Sequence, residues 1–254
     1  MLVALSLLRF QNVDAIPIGV RGSSGKKIAV SGYSSLSEVL ANSSNFAKFL
    51  EKPCERFSVK LSTIGAEDDL ENLLKTINKT GFGFACIEEH VGQITCGLVS
   101  LRDLLTLYGR SVFSSELSVG DVASSPVFSL PGDTTLKSTL GEMLKKGIRR
   151  VFVYGTDKEV TDRAIIQHIF SVSRLSEASS KPHNLLDTPI DNIQGSHPKM
   201  ISVESSLKEG AELMTQTTDG CLVCKKGVVT PWDLVIKPWQ LGKLAISQSR
   251  QDRG

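Results

Sequence analysis

Apolar residues along this chain change their period in a fixed order. Leu70, Leu73, Leu74 and Ile77 recur at the three-and-four spacing of a single helix face. The same stripe returns as Leu136, Leu140, Met143 and Leu144, and again as Leu207, Ala211 and Met214. Each stripe predicts an amphipathic helix. A short apolar strand precedes each one, and two more strands joined by a short polar turn follow it. The predicted order is strand, helix, strand, strand, helix.

The endings repeat in their letters as well. Residues 97–105 read GLVSLRDLL and residues 227–235 read GVVTPWDLV. The hydroxyl of each ending has counterparts in the other copies, giving Ser35, Ser100, Thr161 and Thr230. These positions stand 65, 61 and 69 residues apart, the signature of a tandem repeat. Four units follow, at 1–41, 54–109, 118–175 and 187–239, with a tail at 240–254. The first fits if the chain opens inside its first helix, so its opening strand is missing. Each unit is a small α/β layer with an open apolar face. About 60 residues make a marginal core, so four units are expected to pair into two modules. The fold class expected is mixed α/β (α+β).

Composition narrows the class without changing the fold. Of 254 residues, 41% are hydrophobic and 22% charged, which suits a globular chain with a core. A net charge of +2 and a pI near 8.2 give no basic stripe with interleaved aromatics, so nucleic acid ranks last among partners. No apolar run approaches the ~20 residues of a membrane helix, and the greasy start MLVALSLLRF lacks the basic region and cleavage site of a signal peptide. Five scattered cysteines suit a reducing compartment, and the cytoplasm is the expected location. Cys221 and Cys224 read as buried thiols on a strand, whose positions three apart face opposite sides. The four histidines have no ligand spacing, and no nucleophile–base arrangement is visible.

The stretches SPVFSLPGDTTLKSTLGEMLKKGIRRVFV, CGLVSLRDLL and GVVTPWDLV resemble the CBS domain family. The resemblance covers nearly the whole chain, and four-repeat chains of this kind are similar to the regulatory gamma subunit of AMP-activated protein kinase. It implies two paired modules, regulation in place of catalysis, and an adenosine ligand such as AMP, ADP, ATP or S-adenosylmethionine. It also implies a regulated partner protein and a homodimer through stacked modules. The opposing reading is a ligand-free scaffold for protein assembly.

The candidate chemistry lies at the repeated hydroxyl. There a strand ends and a helix begins, so the hydroxyl caps an orphan N–H, and the helix terminus suits phosphate. An acid three residues later accepts two hydrogen bonds and fits the two hydroxyls of a ribose. Ser/Thr-x-x-Asp/Glu is equally a capping box that needs no ligand. The second repeat has Ser100 and Asp103, the fourth Thr230 and Asp233, and the first Ser35 and Glu38. The third keeps Thr161 but has Ala164 in place of the acid, which breaks its clamp.

The resemblance assigns basic residues beside the strand of a neighbouring repeat to phosphate. Arg149 and Arg150 fit that role for Thr230 and Asp233, since an arginine fork suits phosphate; their structural alternative is a salt bridge. By resemblance the base rests near Met200 and Ile201. Ser100 with Asp103 is the second choice, for a ligand with less phosphate because Asp14 opposes anions. Two distractors are set aside. GVRGSSGKK lacks the spacing of a P-loop and reads as a hairpin turn. Trp232 and Trp239 read as packing residues in place of base-stacking ones.

Overall fold

The three stripes become three helices because both ends are specified locally. Helix Leu70–Thr80 starts at Asp69, whose carboxylate accepts from the Asn72 N–H at 2.8 Å. It stops at Gly81, where φ is 69°, a left-handed position that glycine adopts without a Cβ penalty. Helix Leu136–Lys146 is capped by Thr135 and stops at Gly147 in the same way. Ser206 and Glu209 form a capping box that opens helix Leu207–Thr215. Leu73, Leu74, Ile77, Leu136, Leu140, Met143, Leu207, Ala211 and Met214 are buried as their spacing requires.

The computed structural model describes residues 15–18, 28–31, 51–60, 62–88, 95–169, 186–217 and 220–247. In chain order the strands and helices begin with β1 (Ala15–Ile18), β2 (Ile28–Ser31), β3 (Val59–Lys60), β4 (Thr63–Gly65), α1 (Leu70–Thr80), β5 (Phe84–Glu88) and β6 (Thr95–Ser100). Next come α2 (Leu101–Leu104), α3 (Thr106–Gly109), β7 (Phe113–Ser114), α4 (Val119–Val122), β8 (Ser129–Leu130), α5 (Leu136–Lys146), β9 (Arg150–Val153), β10 (Glu159–Thr161) and α6 (Asp162–Ile169). The last are α7 (Leu207–Thr215), β11 (Leu222–Cys224), β12 (Gly227–Val229), α8 (Pro231–Gln240) and β13 (Ala245–Ile246).

Among the described residues one pairing scheme occurs three times. β4 runs parallel to β5, and β5 pairs antiparallel with β6. β8 runs parallel to β9, and β9 pairs antiparallel with β10. In the last copy the opening strand shrinks to one parallel bridge, Met200 to Val223, beside the β11–β12 hairpin. β1 and β2 pair antiparallel; GVRGSSGKK, residues 19–27 between them, lies outside the described residues. The single strand expected before α1 is split. Val59–Lys60 joins β2, and Thr63–Gly65 joins β5.

The chain divides into two units, one of residues 1–61 and 128–197, the other of residues 62–127 and 198–254. The first unit's core gathers Leu136, Leu140 and Met143 with Val151, Val160 and Ile165. In the second, Leu74 and Ile77 share a core with Leu104, Leu207, Met214 and Leu234. The expected tail begins by docking in the second unit. β13 pairs antiparallel with β7, and the Ser247 N–H donates to the Val112 carbonyl; residues 248–254 lie outside the described residues.

Each unit also seats a short segment across a helix start and a hairpin. In the second unit, residues 118–124 bridge Ser118 to Ser206 and Ser124 to Val228. The Ser124 and Val228 amides and carbonyls exchange hydrogen bonds of 2.8 and 3.0 Å. Gly227 is needed for this approach, because a Cβ there would stand 2.1 Å from the Ser124 carbonyl oxygen. In the first unit, residues 189–196 do the same, bridging Thr135 to Pro189 and Glu159 to Ser196. Here the small residue is on the seated segment: a Cβ on Gly195 would stand 2.4 Å from the Glu159 carbonyl oxygen.

One side chain repairs a backbone defect in the second unit. Pro238 lies inside α8 and has no N–H to give the Leu234 carbonyl four residues earlier. The buried Tyr108 hydroxyl donates to that carbonyl at 2.6 Å. Burial pushes the Tyr108 phenol well above its ordinary pKa, so it stays a donor. Tyr108→Phe keeps the ring and orphans the carbonyl, so unfolding in urea is expected to show a loss of about 1–3 kcal/mol. A loss under about 0.5 kcal/mol, the range of neutral surface changes, would show that the bond is not needed.

Candidate functional site

The repeated hydroxyl stands where the pattern placed it, at the end of a hairpin and the start of a helix. Ser100 caps α2 and Thr230 caps α8, each as half of a capping box. Thr161 ends β10, and its Oγ1 accepts from the Ala164 N–H at 3.1 Å. Ser35 and Glu38 of the first repeat lie outside the described residues.

Capping boxes of the same letters also occur away from the repeated turn. Ser118 with Asp121 opens α4, and Ser206 with Glu209 opens α7. Hydrogen bonds from the Ser118 backbone and hydroxyl hold Asp121 below the usual carboxylate range. The motif therefore describes a helix start, and any ligand role must come from the acid's surroundings.

Those surroundings differ between the second and fourth repeats. Asp103 is exposed. Its Oδ2 accepts from the Ser100 N–H at 2.8 Å and the Ser100 hydroxyl at 2.6 Å. Among the described residues no donor reaches its Oδ1. Asp233 is 2% exposed. Its Oδ2 accepts from the Thr230 N–H and hydroxyl, both at 2.7 Å. Its Oδ1 accepts from Ser124 Oγ at 2.8 Å and pairs with Lys237 Nζ at 2.7 Å. Lys237 Nζ also donates to the Val122 carbonyl at 2.8 Å and to Ser124 Oγ at 2.9 Å. Both oxygens of Asp233 are thus held by protein donors, close to the capacity of a carboxylate.

The other expected residues are placed as follows. Arg149 Nε donates to Asp162 at 2.8 Å, and Arg150 Nη1 donates at 2.6 Å to the fully buried Glu159. Glu159 also accepts from Ser196 Oγ at 3.0 Å. These ion pairs lie in the first unit, whereas Thr230 and Asp233 lie in the second. Met200 is 66% exposed, and the Ile201 N–H donates to the Val223 carbonyl. Trp239 Nε1 donates to Glu71 at 3.0 Å, and both tryptophans pack on the second core, as the packing reading has it. Cys221 and Cys224 are buried free thiols, and no metal-ligand cluster occurs among the described residues. No described helix is long and apolar enough to cross a membrane.

Ser124 and Lys237 were not foreseen. Lys237 was open to notice, since a lysine four residues after an acid on a helix can pair with it. Ser124 was not, because it meets Asp233 across 109 residues of chain.

This alternation of paired strands and capped helices has a known form. Residues 119–173 match the model of the CBS domain family. The CBS match begins in the second unit and continues through β8, α5, β9, β10 and α6 in the first. A solved structure from Methanocaldococcus jannaschii, described as a proposed archaeal homologue of gamma-AMPK, has the same fold. It aligns with a TM-score of 0.80 at 17% identity, covering 93% of this chain and 91% of that one. An uncharacterised conserved protein from Pyrococcus horikoshii aligns with a TM-score of 0.53 at 13% identity, covering 87% and 89%. No curated protein sequence matches the chain.

The two acids are expected to weigh differently in stability. Asp233→Ala leaves Lys237 and Ser124 without their buried acceptor and is expected to cost about 3 kcal/mol. Asp103→Ala removes an exposed cap and is expected to cost about 1 kcal/mol. Urea unfolding of both variants measures the contrast; equal losses would contradict the burial difference.

Proposed function

We propose that the chain is a regulatory CBS protein that senses an adenine nucleotide, AMP, ADP or ATP, and that Ser100 with Asp103 grips the ribose. The observation that carries this reading is the Asp103 carboxylate. Asp103 is exposed, two bonds from Ser100 fix one of its oxygens, and the second oxygen has no donor among the described residues. A fixed carboxylate with an open acceptor suits a diol, because its orientation entropy is already lost before the ligand arrives. Thr161 has no acid beside it, and Asp233 is internally satisfied. Ser100 and Asp103, which ranked second by sequence, therefore come first.

Sensing needs the ligand to favour one of two states of the protein, so that a partner reads the shift. The regulated partner is a separate protein recognising that state. The alternative is a ligand-free assembly scaffold.

Calorimetry of the full chain against AMP, ADP and ATP is expected to show saturable binding that Asp103→Ala weakens at least tenfold. At 100 times the dissociation constant, binding adds about 2.7 kcal/mol of stability, visible as a thermal shift. Flat titrations and unmoved melting curves with all three nucleotides would leave the scaffold reading standing.

A further inference from the structure

We propose that Lys237 acts as a built-in competitor that closes the fourth repeat's turn to diol ligands. This rests on reading the repeated hydroxyl–acid turns as diol sites. The second and fourth repeats each have a hydroxyl residue, Ser100 and Thr230, and an aspartate three residues on, and both form the capping box. They part company four residues after the acid, where the fourth has Lys237 and the second has Leu107.

On a helix, residues four apart lie on one face, so Lys237 Nζ reaches Asp233 Oδ1 at 2.7 Å. The Val122 carbonyl at 2.8 Å and Ser124 Oγ at 2.9 Å hold the ammonium in place. The oxygen that Asp103 leaves open is therefore filled in Asp233 by an ammonium and a hydroxyl. A ribose would have to break an ion pair whose acid is buried and whose lysine is partly exposed, and a neutral diol offers no charge to replace it. At the matching position Leu107 is half-buried and packs on the second core. It has no donor to offer. Lys237 thus acts through Asp233 as a positioning residue: together with Ser124 it occupies the oxygen a diol would need.

The test is the number of AMP sites on the full chain, read by calorimetry with folding checked by melting temperature. Lys237→Leu, which copies the second repeat, is expected to bind one more AMP than the unsubstituted chain. Adding Asp233→Asn is expected to remove that extra site, and Lys237→Arg, which keeps a cation at the turn, is expected not to create it. Lys237→Gln gives the same reading if the leucine variant does not fold. A folded Lys237→Leu with no added site overturns the proposal and leaves nucleotide sensing at Asp103 intact. Loss of the unsubstituted chain's binding in Asp233→Asn also overturns it, because the turn would then be open. If the unsubstituted chain binds nothing and Lys237→Leu binds one AMP, the lock is supported and the Asp103 reading falls. Silence from both chains overturns the two together.

Discussion

A sheet of three short strands cannot bury its own face, and that constraint shapes both units. Strands of three to six residues such as β4, β5 and β6 leave an apolar surface that a single helix only partly covers. In the second unit the deficit is met by helices from distant parts of the chain. Leu104 and Leu105 lie in one cluster with Leu207, Ala211, Leu234 and Val235. Backbone groups at the contact are satisfied across it as well. The Arg102 guanidinium donates to the Met214 and Thr217 carbonyls, and Tyr108 serves Leu234. A proline inside α8 is tolerated because this neighbour is fixed in place to supply the missing donor.

The seated segments extend the same logic to polar groups. A buried carboxylate needs donors, and the second and fourth turns meet that need in opposite ways. Asp103 stays at the surface, where water serves it. Asp233 is drawn inside by the approach of residues 118–124, and it then requires Ser124 and Lys237. Glu159 in the first unit follows the Asp233 pattern, with Ser196 from a seated segment and Arg150 as its cation. A serine on a seated segment and one cation per buried acid is therefore a shared solution in both units. It serves packing.

Much of this was legible from periodicity. The helical stripes, the hairpins and the capped turns depend on residues within about four positions of one another, and such local rules are written in the letters. Two kinds of feature were not. The split of the strand before α1 depends on which sheet edge each half meets, and nothing in VKLSTI encodes that choice. The occupancy of Asp233 depends on Ser124, more than a hundred residues away. We propose the reverse ranking of the two candidate turns for that reason: GVVTPWDLV is as good a local motif as GLVSLRDLL, but its acid is buried.

Repetition explains why such inversions arise. When a unit is copied, each copy inherits the turn that fixes a hydroxyl and an acid at a helix start. The acid's use then depends on its neighbours alone. Where Ala164 stands in place of the acid, the cap remains, because the Thr161 hydroxyl still serves the helix. Where the acid is kept with a cation four residues on, the pair is part of the packing. A capping box is stable with or without a ligand, so each copy is free to diverge while the fold is retained. In the described part of this chain, Asp103 is the repeated-turn acid that remains exposed and Asp233 the one that is buried.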